Sequence, residues 1–425
     1  MKIQDLNGKT VCLVGYAREG KSMHNALAKY APDAKVTIAD RDESITAQGA
    51  TLKLGPDYME GLDAFDVVIR SIGIAYTPAM DAIANKITDM TRIFFDSIQD
   101  SGVRTIGITG SKGKSTTTTL IYEALKAHDP NTHLMGNIGI PMIDFLAEAK
   151  PGATFVIELS SFMLEHLRRS PHVAVVTSFF PEHLDRHGDV QSYWATKKNI
   201  ALHQTAEDAI FYNARYPQCK EIAEASPGTR IGFSADDFPL QVSETKFKGE
   251  HNRSNLAAAF KVATYLGVPK DVALTALTQA DPLPHRLQNI GEHGGVVWVN
   301  DSFATAPEAT IAALEALKDD VDTLLVGGFD RGVDYGGLAE YLDASPVQNI
   351  AFFPDTGTRI KAAMRSPKNT LETADMQEAV TWAAKVTAPG KTALLSSASP
   401  SFNLFKDFVV RGEAFVTAVQ DLDKK

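Results

Sequence analysis

Short apolar runs recur along the chain, separated by polar turns and by stretches with helical spacing. Residues 9–14, 36–39, 67–70, 103–108, 154–157, 173–177, 209–212, 230–233, 296–300, 323–326, 349–353 and 392–396 read as short buried strands. The stretches between them place apolar residues three and four apart. In 116–127, for example, Leu120, Ile121, Ala124 and Leu125 fall on one helical face. Helices are also predicted from the turn at 15–22 to about residue 30, over 193–203, after 255 and from about 307. Strands that alternate with helices predict an α/β protein with mainly parallel sheets, because neighbouring parallel strands need a crossover between them. At roughly 150 residues per domain, 425 residues hold about three domains.

Turn chemistry divides the chain. After the first strand comes Gly15-Tyr16-Ala17-Arg18-Glu19-Gly20-Lys21-Ser22, then a helix, then a second strand that ends on Asp40. Glycine turn, helix and an acid about 20 residues on form the Rossmann arrangement. The same turn has strict Walker spacing, so three readings stand: a nucleotide or diphosphate cradle for a substrate, a second ATPase loop, and a plain tight turn. The first domain closes near 98, and the last boundary falls at Pro282-Leu283-Pro284-His285-Arg286. The expectation is α/β in three domains: a Rossmann-like N-terminal domain over 1–98, a P-loop-type central domain with a mostly parallel sheet over 99–283, and a Rossmann-like C-terminal domain over 284–425.

The centre of the chain carries its clearest chemistry. Between strand 103–108 and helix 116–127 stands Gly110-Ser111-Lys112-Gly113-Lys114-Ser115, followed by Thr116. Glycines let the backbone aim several N–H groups at one point, the helix adds its positive end, and Lys114 adds a full charge. Ser115 or Thr116 can bind Mg²⁺ through its hydroxyl. The residue five before Gly113 is Ile108, where a strict Walker A has glycine. The stretch still reads as a triphosphate cradle.

Further candidates follow. Glu158 ends a strand downstream of the phosphate loop, where a Mg²⁺-binding acid belongs in such enzymes; as the bland alternative it caps the next helix. Pro181-Glu182-His183-Leu184-Asp185-Arg186-His187 crowds acid, His and Arg past a strand and suggests ligands rather than packing. Lys197 and Lys198 read from spacing alone as a solvated helix face. Asn252 and Asn255 lie one turn apart and suit an adenine or a phosphate, or serve as caps. In the last domain the loops 301–305, 327–332 and 396–408 would gather at the strands' C-terminal ends.

Composition narrows the setting. Forty-four per cent hydrophobic and 22% charged residues are ordinary globular usage. A formal charge of -10 counts against nucleic acid and anionic membrane as bulk partners. Two cysteines, Cys12 and Cys219, cannot build a disulfide framework or a four-thiolate zinc site. The N-terminus has no apolar signal segment, and no apolar run reaches the ~18 residues of a membrane span. A reducing cytoplasm is expected.

The order of GSKGKST, ELSS, HLDRH, HNRSN, HR, NDSFAT, GGFDRG and SxASPSF resembles the Mur ligases of peptidoglycan synthesis, over nearly the whole chain. The resemblance implies an ATP-dependent, monomeric ligase that joins glutamate, usually the D enantiomer, to UDP-N-acetylmuramoyl-L-alanine through an acyl phosphate. It implies ATP and Mg²⁺, with two ions, as cofactors. It gives Lys114, His183 and Lys197 catalytic roles. Gly110, Ser111, Lys112, Gly113, Lys114, Ser115, Thr116, Asn252, Asn255, Arg286 and Asp301 would bind ATP. Ser115, Glu158, His183 and a carbamylated Lys197 would hold metal, which revises the solvated reading of Lys197. Gly15, Tyr16, Asp40, Ser71, Gly73 and Asn137 would take the UDP-substrate, and Thr305, Arg331, Ser401 and Phe408 the glutamate. All three domains would contribute, and closure would exclude water from the acyl phosphate.

The chain also departs from the family pattern. Phe303 stands where lysine is usual in Asp-Ser-Lys-Ala-Thr, which removes a cation near the nucleotide and amino-acid sites. Lys112, Ser178 and Glu182 stand where Asn, Asn and Asp are common, and Ile72 replaces a usual proline. Some relatives with such variants are thought to use L-glutamate. A folylpolyglutamate synthase-like ligase would share the later domains but normally lacks the first one. A non-catalytic nucleotide-binding protein would be expected to lose Lys114, Glu158, His183 or Lys197.

Overall fold

The computed structural model describes residues 1–180, 184–247 and 249–424, without the side chains of Ala79, Leu184, Asp185 and Glu250. Glu182 and His183 lie outside the described residues. The chain forms two compact units, one of Met1–Leu240 with Arg253–Gln279, the other of Gln241–Asn252 with Ala280–Lys425.

The first unit holds two parallel sheets. In the first, β1 (Thr10–Val14), β2 (Lys35–Asp40), β3 (Thr51–Leu54), β4 (Val67–Arg70) and β5 (Ile87–Thr88) lie in the order β3-β2-β1-β4-β5. That is the doubly wound arrangement, with its switch point between β1 and β4. The second sheet contains β6 (Arg104–Thr109), β7 (Thr132–Gly136), β8 (Thr154–Glu158), β9 (Val173–Val176), β10 (Ala209–Asn213) and β11 (Thr229–Phe233). Their order is β11-β10-β9-β6-β8-β7. Here β6 stands at the switch point, because the chain runs from it to β7 and β8 on one side and later to β9 on the other. Strands buried on both faces explain the unbroken apolar runs in the sequence. Val11, Leu13, Ile69, Ile157 and Val176 belong to one buried cluster that extends from the first sheet into the second. Each such side chain contributes about 1.5–3 kcal/mol by leaving water.

The second unit holds β12 (Gln288–His293), β13 (Val296–Asp301), β14 (Val321–Gly328), β15 (Asn349–Asp355), β16 (Asn369–Glu372) and β17 (Thr392–Ser396), in the order β12-β13-β17-β14-β15-β16. β12 runs antiparallel to β13, and the other pairings are parallel. The sheet is therefore mixed, with an order unlike that of the first. Apolar clusters cover both faces: Leu324, Val326 and Ile350 on one, Trp298, Leu325 and Phe415 on the other.

Local differences from the sequence reading have physical causes. The helix expected at 193–203 runs over Val190–Lys198, because Asp189 caps it by accepting from Ser192 N–H. The short edge strands β3, β5 and β16 carry too few apolar residues to stand out. Among the described residues, no helix is long and apolar enough to cross a membrane.

Candidate active site

The phosphate loop leaves β6 after Thr109 and enters the helix Lys114–Lys126. Glycine is required at two of its positions. Gly110 has φ 150°, and a Cβ there would lie 2.1 Å from Thr177 Oγ1. Gly113 has φ 83°, and a Cβ would lie 2.6 Å from Asn255 Oδ1. The segment after β9 clamps the loop. Ser111 N–H donates to Ser178 O at 3.0 Å, Lys112 N–H to Ser178 Oγ at 2.8 Å, and Thr177 Oγ1 to Lys112 O at 2.7 Å. Ser178, a departure from the family pattern, thus acts as a loop clamp. Half-buried Lys114 arches back, its Nζ donating to Gly110 O and Ser111 O, both at 2.9 Å. The turn presents a cation and a helix N-terminus to the same space, which suits a polyphosphate.

Glu158 lies beside this loop by strand register. It pairs across the sheet with Gly136 on β7 and with Ile108 on β6, two residues before Gly110. The side chain is buried. Its Oε1 accepts from Asn137 Nδ2 at 2.7 Å, and its Oε2 has no hydrogen-bond partner among the described residues. A buried carboxylate oxygen left bare is costly unless a ligand completes it. The capping reading fails, because Ser160 caps the following helix by accepting from Met163 N–H. Lys197 is 1% exposed, so the solvated face read from spacing alone is corrected. Its Nζ donates to Gly110 O at 3.1 Å and lies over the Tyr193 ring at 4.6 Å. The Tyr193 hydroxyl meets Ser111 Oγ at 3.0 Å. Asn255 sits inside the helix Glu250–Tyr265 and accepts from Thr117 Oγ1 at 3.2 Å, so it does not cap; Asn252, one turn earlier, is buried.

Among the described residues, no three His, Cys, Asp or Glu side chains stand together as a metal cage. The bare Glu158 oxygen, with the buried hydroxyl-bearing Ser115 one residue after Lys114, nevertheless fits a hard, oxygen-seeking cation. His183, another of the expected ligands, lies outside the described residues.

At the switch point of the first sheet, Gly15 has φ 93°, and its carbonyl accepts from Ser71 Oγ at 3.0 Å. Gly20 brings the helix Arg18–Tyr30 close, since a Cβ there would lie 2.2 Å from Gly15 O. Asp40 accepts from Tyr16 N–H at 2.6 Å and from Asp42 N–H at 3.0 Å, so it shapes the turn. The Tyr16 hydroxyl meets His24 Nδ1 at 2.8 Å. Gly73 has open space where a Cβ would be. The structure therefore brings Gly15, Tyr16, Asp40 and Ser71 together.

In the second unit, Asp301 ends β13 opposite Ser396 on β17. Its carboxylate accepts from Leu287 N–H at 3.2 Å and from Ser396 Oγ at 2.8 Å. Burial pushes its pKa up to about 7, against the opposing pull of those hydrogen bonds and of Arg286. Arg286 lies 3.5 Å over the Phe303 ring, and Phe303 packs edge-on against Phe408 at 4.9 Å. The aromatic ring that replaces the usual lysine thus carries an arginine on its face. Arg331 Nη2 donates to Thr305 O at 2.9 Å, which joins two of the four expected glutamate residues. The buried Ser401 Oγ has no hydrogen-bond partner among the described residues.

A folded-state pKa raised this far has a sign that can be checked. Between about 4 and 7 the folded chain holds the Asp301 proton and the unfolded chain does not, so stability falls as pH rises through that window. Asp301→Asn keeps an acceptor for Leu287 and removes the titration. In denaturation measured from pH 4 to 8, the variant should gain stability relative to wild type, on the order of a few kcal/mol, with the gain levelling off above about pH 7.

Sequence reasoning missed Arg411. It is 2% exposed; Nε donates to Ser302 Oγ at 3.0 Å, Nη2 to Ser302 O at 2.8 Å, and Nη1 has no hydrogen-bond partner among the described residues. Burial lowers its pKa to about 10. Ser302 Oγ in turn donates to Phe408 O at 2.8 Å, so Arg411 ties the Asp301–Thr305 loop to the helix Phe408–Gln420. A lone cation among Phe408, Val409, Val410 and Phe415 was the available signal.

Known proteins agree with this architecture. The Mur ligase middle domain matches residues 108–263, and the Mur ligase glutamate ligase domain matches 285–399. A Salinispora tropica protein named UDP-N-acetylmuramoyl-L-alanine--L-glutamate ligase is 35% identical, over 99% of both chains. A Geobacillus kaustophilus protein named UDP-N-acetylmuramoylalanine--D-glutamate ligase is 34% identical, over 97% of this chain and 98% of its own. In fold, the chain is similar to the MurF ligase of Thermotoga maritima solved in complex with ADP, with a TM-score of 0.63 at 16% identity over 100% and 97% of the two chains. Full-length similarity at this level places the chain in the Mur ligase family.

Proposed function

We propose that this chain adds glutamate to UDP-N-acetylmuramoyl-L-alanine in peptidoglycan precursor synthesis, with ATP as the driving nucleotide. The observation that carries the reading is similarity, across nearly the whole chain, to ligases named for that reaction. A substrate carboxylate oxygen attacks the γ-phosphorus, and the bond to the β-phosphate oxygen breaks to release ADP. The glutamate nitrogen then attacks the acyl carbon, loses a proton, and phosphate leaves with the attacking oxygen.

The chain's own groups divide this work. Lys114, with the N–H groups of 110–116, neutralises charge on the triphosphate, where carboxylate and γ-phosphate would otherwise repel. Ser115 and Glu158, with His183 and a carbamylated Lys197, would hold Mg²⁺. When bound, the metal supplies positive charge to the triphosphate and to the accepting carboxylate. Asn252, Asn255, Arg286 and Asp301 contact the nucleotide. Gly15, Tyr16, Asp40, Ser71, Gly73 and Asn137 receive the UDP-substrate, and Thr305, Arg331, Ser401 and Phe408 receive glutamate. Arg331 suits a carboxylate, since a guanidinium binds one bidentately. The segments 1–98, 99–283 and 284–425 act as substrate, ATP and glutamate domains. The reading includes a monomeric enzyme of the cytoplasm, in keeping with two buried free thiols.

D-glutamate is the first reading of the amino acid. L-glutamate is the second, favoured by Phe303 and by the name of the Salinispora relative. The test is phosphate release with ATP, Mg²⁺ and UDP-N-acetylmuramoyl-L-alanine, with D- or L-glutamate in separate tubes. Release that needs both the muramoyl substrate and one enantiomer supports the reading and names the enantiomer. Release that ignores both substrates, or none with either enantiomer, contradicts it.

A further inference from the structure

Arg186 belongs to the charged cluster at 181–187 and has no role in the scheme above. Its side chain leaves the short helix Leu184–His187 and reaches the loop after β4. Nη2 donates to Ile72 O at 2.5 Å and to Ile74 O at 2.8 Å, and Nη1 donates to Gly73 O at 3.2 Å. One guanidinium therefore gathers three successive carbonyls of the loop that carries Ser71 and Gly73. Neutral bonds also hold that loop, from Ser71 N–H to Val14 O at 2.9 Å and from Ile74 N–H to Ser71 O at 3.0 Å, and two further ties are charged. Arg70 donates to Ile74 O, and Glu19 accepts from the Ile72 N–H.

The other side of Arg186 is fixed to the phosphate-loop region. Its guanidinium lies 4.3 Å over the Phe162 ring. His187 stacks on the same ring, with centroids 5.1 Å apart and an interplanar angle of 6°, and its Nε2 meets Ser161 Oγ at 3.0 Å. His187 also packs on Tyr193 at 5.3 Å, and the Tyr193 hydroxyl meets Ser111 Oγ in the phosphate loop. These contacts form an unbroken series from the loop at 72–74 to the loop at 110–113. A flat, permanently charged fork that binds carbonyls on its edge and stacks on its face is what arginine supplies and lysine does not.

We propose that Arg186 is a positioning residue for the UDP-substrate, holding the 71–74 loop in its receiving conformation and in register with the phosphate loop. The proposal rests on the functional reading above, since it takes that loop to be the UDP-substrate's seat. Without the fork, three carbonyls lose charge-assisted bonds and the loop relaxes. The UDP-substrate then binds to a less ordered seat, while the nucleotide loop keeps its own clamps from Thr177 and Ser178.

The test is calorimetric binding of UDP-N-acetylmuramoyl-L-alanine and, separately, of ADP, to the full chain as wild type, Arg186→Met and Arg186→Lys. Arg186→Met should weaken the UDP-substrate by about 10- to 100-fold, and Arg186→Lys should fall between it and wild type. ADP affinity should stay within about twofold in both, and the melting temperature should move little. A merely structural role would weaken both ligands together and lower the melting temperature, and that pattern overturns the proposal. So does UDP-substrate affinity in Arg186→Met equal to wild type. If Arg186→Met does not fold, Arg186→Lys decides alone, because it keeps the charge and loses only the fork. A wild-type chain that binds ADP but not the UDP-substrate would sink the functional reading and this proposal with it. A wild-type chain that binds both, beside unaltered variants, sinks only this one.

Discussion

Replacing Lys114 with alanine is expected to cut kcat/KM for ATP roughly a thousandfold while leaving the fold intact. The ammonium stands at the start of the helix Lys114–Lys126, where the phosphate loop narrows. Its two bonds to Gly110 O and Ser111 O hold it over the turn before any phosphate arrives. In the reaction, negative charge gathers on the transferring phosphoryl group as the substrate carboxylate approaches, and a fixed cation there lowers the barrier more than it strengthens ground-state binding. Lost stability should be small, because the two bonds are half-exposed and each is worth about 1 kcal/mol. Thermal melts and steady-state phosphate release check both halves. A folded variant with near-normal turnover would remove Lys114 from the mechanism.

Glu158→Gln is expected to reduce kcat by roughly 10²–10³-fold and to raise the Mg²⁺ concentration needed for half-maximal rate. The amide keeps an oxygen for Asn137 Nδ2, so the buried bond at 2.7 Å can persist. What disappears is the charge on Oε2, the atom without a hydrogen-bond partner among the described residues. Glutamine matches the volume, and stability should hold or rise slightly, because burying a lone charge costs more than burying an amide. A Mg²⁺ titration of phosphate release distinguishes this from simple loss of packing. Unchanged metal dependence would show that Glu158 serves the fold alone.

Much of this architecture could be read from the chain, for reasons that differ by element. The central strands of each sheet stand out because both faces are buried, which leaves continuous runs such as Val173–Val176. The phosphate loop stands out because Gly110 and Gly113 occupy positive-φ positions where a Cβ would crowd Thr177 and Asn255. The hairpin of β12 with β13 was harder to see, because its edge strand alternates polar residues across an exposed face. The burial of Lys197 is hidden in the sequence for a related reason. Lys197 is fully buried and its neighbour Lys198 is half-buried over Trp194 at 3.4 Å, so neither is the solvated side chain that the pair suggests in sequence. The Asn137–Glu158 bond and the Arg411–Ser302 tie join residues far apart in the chain, and only folding brings them together. Arg186 and His187 were grouped as ligands by their charge. In the structure they meet carbonyls and an aromatic ring, which spacing alone does not foretell.

The central claim is that ATP activates the muramoyl carboxylate as an acyl phosphate before glutamate attacks. It can be followed with UDP-N-acetylmuramoyl-L-alanine carrying ¹⁸O in both carboxylate oxygens, by mass analysis of the phosphate and the product after turnover with ATP and the accepted glutamate enantiomer. The account predicts one ¹⁸O in each phosphate released and one retained in the new amide of the product. Amide product formed beside phosphate free of label, with the released ¹⁸O found in water instead, would contradict it.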